Sequence, residues 1–189
     1  RPETEEMTNL IINNYRFEQK QINILDIGTG SGCIAVAIKK HLPSSRLIDV
    51  DVSESALDIA RANAITNKTN IQFTQLDFLD ESRWAELMLF DIIVSNPPYI
   101  PGNQKEKMDK NVVDYEPHNA LFVPDNNPLL FYHKIANFGR DHLNYNGKIF
   151  LDTHEDYAKE VAAVFSANYQ QVIIKKDMFG KERIVIASY

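Results

Sequence analysis

The chain has one cysteine, Cys33, which excludes an intramolecular disulfide framework and a cysteine-rich zinc site and points to a reducing, cytoplasmic compartment. It has no excess of basic charge. Its 20 Lys+Arg stand against 26 Asp+Glu, a net −6, so no broad positive field draws nucleic acid phosphates or an anionic membrane, and nucleic acid is not the expected direct substrate. No run approaches the roughly 18 apolar residues of a membrane span, and the opening residues do not read as a signal peptide. There is no initiator methionine before Arg1-Pro2-Glu3-Thr4, so a preceding N-terminal portion is expected to be missing. Internal repeats and low-complexity tracts are absent too. What is there, 189 residues of which 44% are hydrophobic, amounts to about one domain with enough apolar material for a core.

Short β-rich runs alternate with amphipathic segments, which predicts an α/β layer fold with a mostly parallel sheet. Strands are expected near Ile22–Ile27, Leu47–Val52, Ile71–Thr74, Phe90–Val94 and Lys148–Leu151. Helices are expected near Thr4–Arg16, Cys33–Lys40, Ser53–Ala64, Leu129–Leu143 and Tyr157–Ala167, with Ser53 as an N-cap. Gln171–Lys176 and Arg183–Ala187, joined through a turn containing Gly180, should pair antiparallel. From Asn96 to about Pro128 the rhythm fails: six prolines and a charged run mark a long irregular segment, placed after a strand, where α/β sheets put their ligand crevice.

Asp26-Ile27-Gly28-Thr29-Gly30-Ser31-Gly32 carries a buried strand into a glycine turn and then a helix. The spacing is not the G-x-G-x-x-G of dinucleotide sites, and no phosphate-loop Lys-Ser/Thr pair follows. Some twenty residues on, Asp51 ends the second strand, where a carboxylate accepts from both ribose hydroxyls. A nucleoside without a pyrophosphate suits this pair, which points to S-adenosylmethionine (SAM), with S-adenosylhomocysteine as product. Asp77 and Phe78 end the third strand and offer an acceptor for an adenine amino group and an aromatic face beside the ring. The plain alternative is that the glycines make only a tight turn, Asp51 caps the next helix and Asp77 is a turn residue.

Asn96-Pro97-Pro98-Tyr99 is the most specific stretch. A strand delivers Asn96 to the sheet edge, and two prolines fix the following backbone without adding N–H donors. The Asn96 side-chain carbonyl and the Pro97 backbone carbonyl can together accept both N–H bonds of a planar NH₂ group, aiming its nitrogen at a methyl donor. Tyr99 supplies a face for a flat substrate. A rigid turn is the competing reading of the same residues.

With these residues in view, the chain resembles the class I SAM-dependent methyltransferases and, among them, the protein-(glutamine-N5) methyltransferases of the HemK or PrmC family, which modify release factors of translation termination. The resemblance covers nearly the whole chain: Arg1 to Glu5, Asp26 to Gly32, Asp51-Val52-Ser53, Asp77, Asn96 to Tyr99, Tyr115-Glu116-Pro117, Ala120-Leu121 and Gly180 to Arg183. It implies a Rossmann-like, seven-stranded sheet ending in an antiparallel hairpin with helices on both faces, and an additional N-terminal helical domain, which residues 1–189 are expected to lack as a fragment. It implies cofactor contacts at Gly28 to Gly32, Asp51 and Phe78. Asn96, Pro97 and Tyr99 would bind the target glutamine, with Pro98 beside them. After the fifth strand this chain departs from the family's Leu-Glu-Ile-Gly, reading Leu151-Asp152-Thr153-His154.

Other residues have plainer readings. His154-Glu155-Asp156 reads as a solvated helix start rather than metal ligands, and no metal site is expected. Asp49 shares a strand face with Asp51, but Asp51 alone is taken as functional. Cys33 is expected as a small buried side chain; His118, near Glu116, reads as a loop-packing residue or a substrate contact, and Lys105 to Lys110 as an exposed face or a partner contact. The chief competing functions are methylation of an exocyclic amine on a flipped nucleic acid base, for which the same acceptor cluster would serve, and a SAM-binding module without catalysis.

Overall fold

The computed structural model describes residues 2–98, the backbone of 100–101 and 122–123, and residues 127–189. Along its central strands, successive side chains enter two different apolar layers, as a pleat requires. In β1 (Asn23–Ile27), Leu25 and Ile27 enter one layer and Ile24 the other. In β2 (Arg46–Asp51) the division is Ile48 and Val50 against Leu47, and in β4 (Phe90–Ser95) it is Ile93 against Ile92 and Val94. β7 (Leu143–Asp152) and β9 (Glu182–Ser188) continue it, with Ile149, Leu151, Val185 and Ala187 facing the first layer and Phe150, Ile184 and Ile186 the second. Burial on both faces is why these strands read as continuous apolar runs.

With β3 (Gln72–Gln75) and β8 (Gln171–Lys176), the sheet has seven strands in the order β3-β2-β1-β4-β7-β9-β8. β3, β2, β1, β4 and β7 are mutually parallel, and β9 runs antiparallel to both β7 and β8. α4 (Leu130–His142) and α5 (Ala158–Ser166) cover the first layer with Tyr132, Ile135, Phe138, Val161 and Phe165. α1 (Pro2–Tyr15) and α2 (Cys33–His41) cover the second with Met7, Ile11, Ile34 and Ile38. α3 (Glu54–Thr66) packs against α2, β2 and β3. Met7 and Ile11 recur at helical spacing and are fully buried, each contributing about 1.5–3 kcal/mol to docking α1.

The fold class and order of elements follow the expectation, and the Ser53 Oγ cap accepts from Ala56 N at 3.3 Å. Two details differ. β7 begins at Leu143 rather than near Lys148, across Asn144, Asn146 and Gly147, whose composition reads as a turn. Asn144 Nδ2 donates to Asp91 Oδ1 at 2.7 Å and fastens that stretch to β4 beside a register irregularity. A 3₁₀ turn at Glu81–Glu86 was not expected; Asp80 caps it by accepting from Ser82 N. In the segment expected to be irregular, β5 (Ile100–Pro101) and β6 (Phe122–Val123) form a short parallel ladder.

The closing hairpin turns through Asp177, which accepts from Phe179 N and Lys181 N at 2.9 Å each, and through Gly180 at φ +80°. Glu6 of α1 accepts from Met178 N at 2.9 Å, and Arg183 lies 3.5 Å from Glu3. The first two turns of α1 are thereby fastened to the hairpin.

Candidate active site

The pleat that sorts the core also sorts the polar residues at the carboxyl ends of the parallel strands. By parity Asp26 shares a face with Ile24, Asp49 and Asp51 with Leu47, Asn96 with Ile92 and Val94, and Asp152 with Phe150. All five stand on the α1/α2 side, above the apolar part of that layer. Ile27 is in register with both Val50 and Ser95, so Gly28 follows β1 between Asp51 on one side and Asn96 on the other. Asp51 and Asn96 are thus two strand spacings apart, roughly 10 Å. The order reverses at β1, with β2 and β4 on opposite sides, which is the switch point where α/β sheets open a crevice.

On the β2 side the glycine loop is held by backbone bonds. Gly28 N and Thr29 N both donate to Val50 O, and Gly30 N donates to Asp51 Oδ2 at 2.9 Å. Asp51 Oδ1 accepts from Ser53 N at 2.9 Å. Ser53, not Asp51, is the helix cap, so Asp51 is a carboxylate fixed at both oxygens with further lone pairs for a ligand. A Cβ at Gly28 or Gly30 would meet nothing within 4 Å, leaving open space over the loop, and both residues take positive φ. Gly32 differs: a Cβ there would lie 2.9 Å from Ala60 Cβ, so its smallness lets α3 approach. Asn63 of α3 reaches back to the Ser31 carbonyl at 2.9 Å.

On the β4 side, Ser95 Oγ donates to Ile27 O at 2.7 Å and locks the end of β4 to β1. Asn96 Nδ2 donates to Thr4 Oγ1 at 3.0 Å, and Thr4 Oγ1 donates to Asp152 Oδ2 at 2.7 Å. Pro97 is buried and Pro98 half-buried. Three segments far apart in sequence therefore meet at one amide.

This fold and site can be set beside known proteins. Residues 3–115 match the model of the methyltransferase small domain. The chain is 41% identical to the release factor glutamine methyltransferase of Flavobacterium psychrophilum, with all of this chain and 67% of that protein covered. It is also 41% identical to that of Bacteroides thetaiotaomicron, covering all of this chain and 66% of that one. This chain belongs to the release factor glutamine methyltransferase family. It spans about two thirds of the length of these curated relatives. The release factor-specific protein-(glutamine-N5) methyltransferase of Alicyclobacillus acidocaldarius superposes with a TM-score of 0.61 at 26% identity, covering 98% of this chain and 91% of that one. The ribosomal protein L11 methylase of Lactobacillus delbrueckii subsp. bulgaricus, at 19% identity, shares the fold with a TM-score of 0.65 over 98% of this chain and 79% of that one. Membership in this methyltransferase family implies use of SAM.

Several site residues of this family member lie elsewhere than their sequence suggests. The Phe78 ring is not free to lie beside an adenine: it is buried in the core, 5.4 Å from the Trp84 ring and 5.2 Å from that of Phe138. Asp77 is exposed, with Oδ1 accepting from Leu79 N at 3.0 Å, so its turn role coexists with an open position at the crevice rim. Asp26 and Thr29 are buried beneath the loop. Thr29 Oγ1 lies 2.8 Å from Asp26 Oδ2 and 3.0 Å from Asp49 Oδ2, so the hydroxyl bridges two carboxyls and both support the loop from below. Burial pushes the Asp26 carboxyl up to about 7 and raises Asp49 as well, each worsened by neighbouring negative charge. Cys33 is exposed rather than buried. Tyr99, Tyr115 to Pro117, His118, Ala120-Leu121 and Lys105 to Lys110 lie outside the described residues.

The sequence alone assigns no role to Thr4, Asp49 or Asp152. The available signal was polarity in apolar surroundings: Thr4 and Thr8 lie one turn apart on the buried stripe of α1, and Asp152 ends a buried strand. His154 Nδ1 lies 3.3 Å from Asp156, and Glu155 pairs with Lys181 at 2.7 Å. Among the described residues no cluster has the makings of a metal site, and no helix is long and apolar enough to cross a membrane.

Proposed function

We propose that this domain transfers a methyl group from SAM to the side-chain amide nitrogen of a glutamine in a peptide chain release factor, the Gly-Gly-Gln glutamine being the intended target. The observation that carries this reading is the Asn96 amide, tied through Nδ2 to Thr4 and set one strand from the glycine loop. A chain related to release factor glutamine methyltransferases fits that substrate, and base methylation is not favoured.

The cofactor would rest on the backbone of Gly28 to Gly32, with Asp51 accepting from its ribose hydroxyls and Asp77 near its base; the open space over Gly28 and Gly30 supports this fit. Bound there, it supplies a methyl group on a positively charged sulfur. Asn96 Oδ1 and the Pro97 carbonyl accept the two N–H bonds of the substrate amide, and holding both hydrogens turns the nitrogen lone pair toward the donor. Withdrawing the nitrogen from conjugation with its own carbonyl costs resonance, and two fixed acceptors offset that cost as positive charge develops on nitrogen. No strong base is required, because the nitrogen sheds its proton to water after transfer. Tyr99 and Pro98 would flank the flat amide. A cytoplasmic setting, read from the single cysteine, belongs to the same proposal.

The test is methyl transfer from labelled SAM to a release factor, to the same factor with the Gly-Gly-Gln glutamine replaced by alanine, and to mixed DNA and RNA. Label on the intact factor alone supports the reading. Label on nucleic acid and none on the factor overturns it in favour of base methylation.

A further inference from the structure

Building on the glutamine reading, we propose that Thr4 is a positioning residue through which Asp152 sets which way round the Asn96 side-chain amide lies. A threonine hydroxyl has one proton. That of Thr4 goes to Asp152 Oδ2 at 2.7 Å, so toward Asn96 the same oxygen acts as an acceptor and takes Nδ2–H at 3.0 Å. The carbonyl end of the amide is thereby turned away from α1 and left for the substrate. The reversed amide would set its oxygen against the Thr4 oxygen with no proton between them, and would offer an NH₂ group to the substrate's own NH₂. Neither contact is a hydrogen bond.

The relay is fixed at each end. Asp152 closes β7, where its backbone carbonyl accepts from the Tyr132 hydroxyl of α4 at 3.0 Å. Thr4 is only 6% exposed, and its own carbonyl accepts from Thr8 Oγ1 at 2.8 Å. The Glu3–Arg183 pair and the Glu6 bond to Met178 N hold the turn of α1 that carries Thr4 against the closing hairpin. The opening helix and the last hairpin, distant from β4 in sequence, thus act on the same amide.

The test compares Thr4→Val, which keeps the shape and removes the hydroxyl, with Thr4→Ser, which keeps the hydroxyl. For each, kcat and KM toward a release factor, SAM affinity, melting temperature and the side-chain ¹⁵N–¹H signals of Asn96 are measured, the signals being assigned by their loss in Asn96→Ala. Thr4→Val is expected to lower kcat roughly 10–100-fold, with SAM affinity within about twofold of wild type. Thr4→Ser should stay within about threefold, and the hydrogen-bonded Asn96 NH₂ signature should persist in wild type and Thr4→Ser and vanish in Thr4→Val. Asp152→Asn, which can donate as well as accept, frees the Thr4 proton and should lower kcat in the same sense should Thr4→Val fail to fold. Unchanged kcat in Thr4→Val, or a Thr4→Ser protein impaired as much as Thr4→Val in step with its melting temperature, overturns the proposal. A wild type that labels only nucleic acid sinks the glutamine reading instead, and the Asn96 signals, which need no acceptor substrate, still decide the role of Thr4.

Discussion

The two sides of the crevice are built differently. The β2 side, from Gly28 to Ser53, is made within some 25 residues of chain: a carboxylate binds the loop that precedes it through Gly30 N and the helix that follows it through Ser53 N. The β4 side brings Thr4, Asn96 and Asp152 together, the first and the last being 148 positions apart. The first is set by local backbone geometry and the second only by the finished fold. A cofactor half of this kind can recur in methyltransferases of many specificities, whereas the acceptor half depends on how α1 and β7 dock.

The sharpest way to separate the halves is Asn96→Ala. It removes the acceptor and leaves the glycine loop untouched, so methyl transfer should fall about 10²–10³-fold, as when a transition-state hydrogen-bonding group is lost, with SAM binding retained. Isothermal titration beside a label-transfer assay reads both. Asp51→Asn addresses the other half. One oxygen becomes an NH₂ that cannot accept from Gly30 N or Ser53 N, and SAM affinity should drop roughly 10–100-fold, the loss of one or two charge-assisted hydrogen bonds.

A third comparison sets the carboxyl pair beneath the loop against the exposed carboxyls around it. Asp26 is raised to about 7, first by burial and then by the charge of Asp51, against an ordinary value of 3.8. A carboxyl raised in the folded state holds its proton longer than in the unfolded chain. Its effect on stability is therefore absent below about pH 4 and grows as a loss as pH rises to about 7. Between pH 5 and 8 the melting temperature should fall, and Asp49→Asn, which removes one charge of the pair, should flatten that slope and raise stability at pH 8 by about 1–2 kcal/mol. Thermal melts of both proteins across that range measure the difference. The smallest effect expected is that of Ser53→Ala, about 1 kcal/mol from loss of the α3 cap, read by denaturant unfolding.

What was legible in the sequence follows the same division. The glycine turn, Asp51, the Ser53 cap and the parallel strands announce themselves through local composition and period, and all but the start of β7 appear where those signals place them. Phe78 was misread because an aromatic at a strand end looks alike whether it faces the crevice or the core, and only the packing of Trp84 and Phe138 decides. The start of β7 was hidden because Asn144, Asn146 and Gly147 favour turns, and pairing with β4 overrides that preference. Asp49 read as a bystander of Asp51, yet it meets Asp26 across Thr29 because β1 and β2 align them as partners. Of the Thr4 relay only the buried polarity of Thr4 and Asp152 is legible, since nothing near residue 4 indicates that residues 96 and 152 will reach it.

The account stands on the two halves being separable, and the most direct measurement is the rate of methyl transfer to a release factor as a function of SAM concentration for wild type, Asp51→Asn and Asn96→Ala. The account predicts that saturating SAM restores most of the Asp51→Asn rate and none of the Asn96→Ala rate, while Asn96→Ala binds SAM as the wild type does. An Asn96→Ala protein that loses SAM affinity as Asp51→Asn does, and recovers its rate at high SAM, would contradict it.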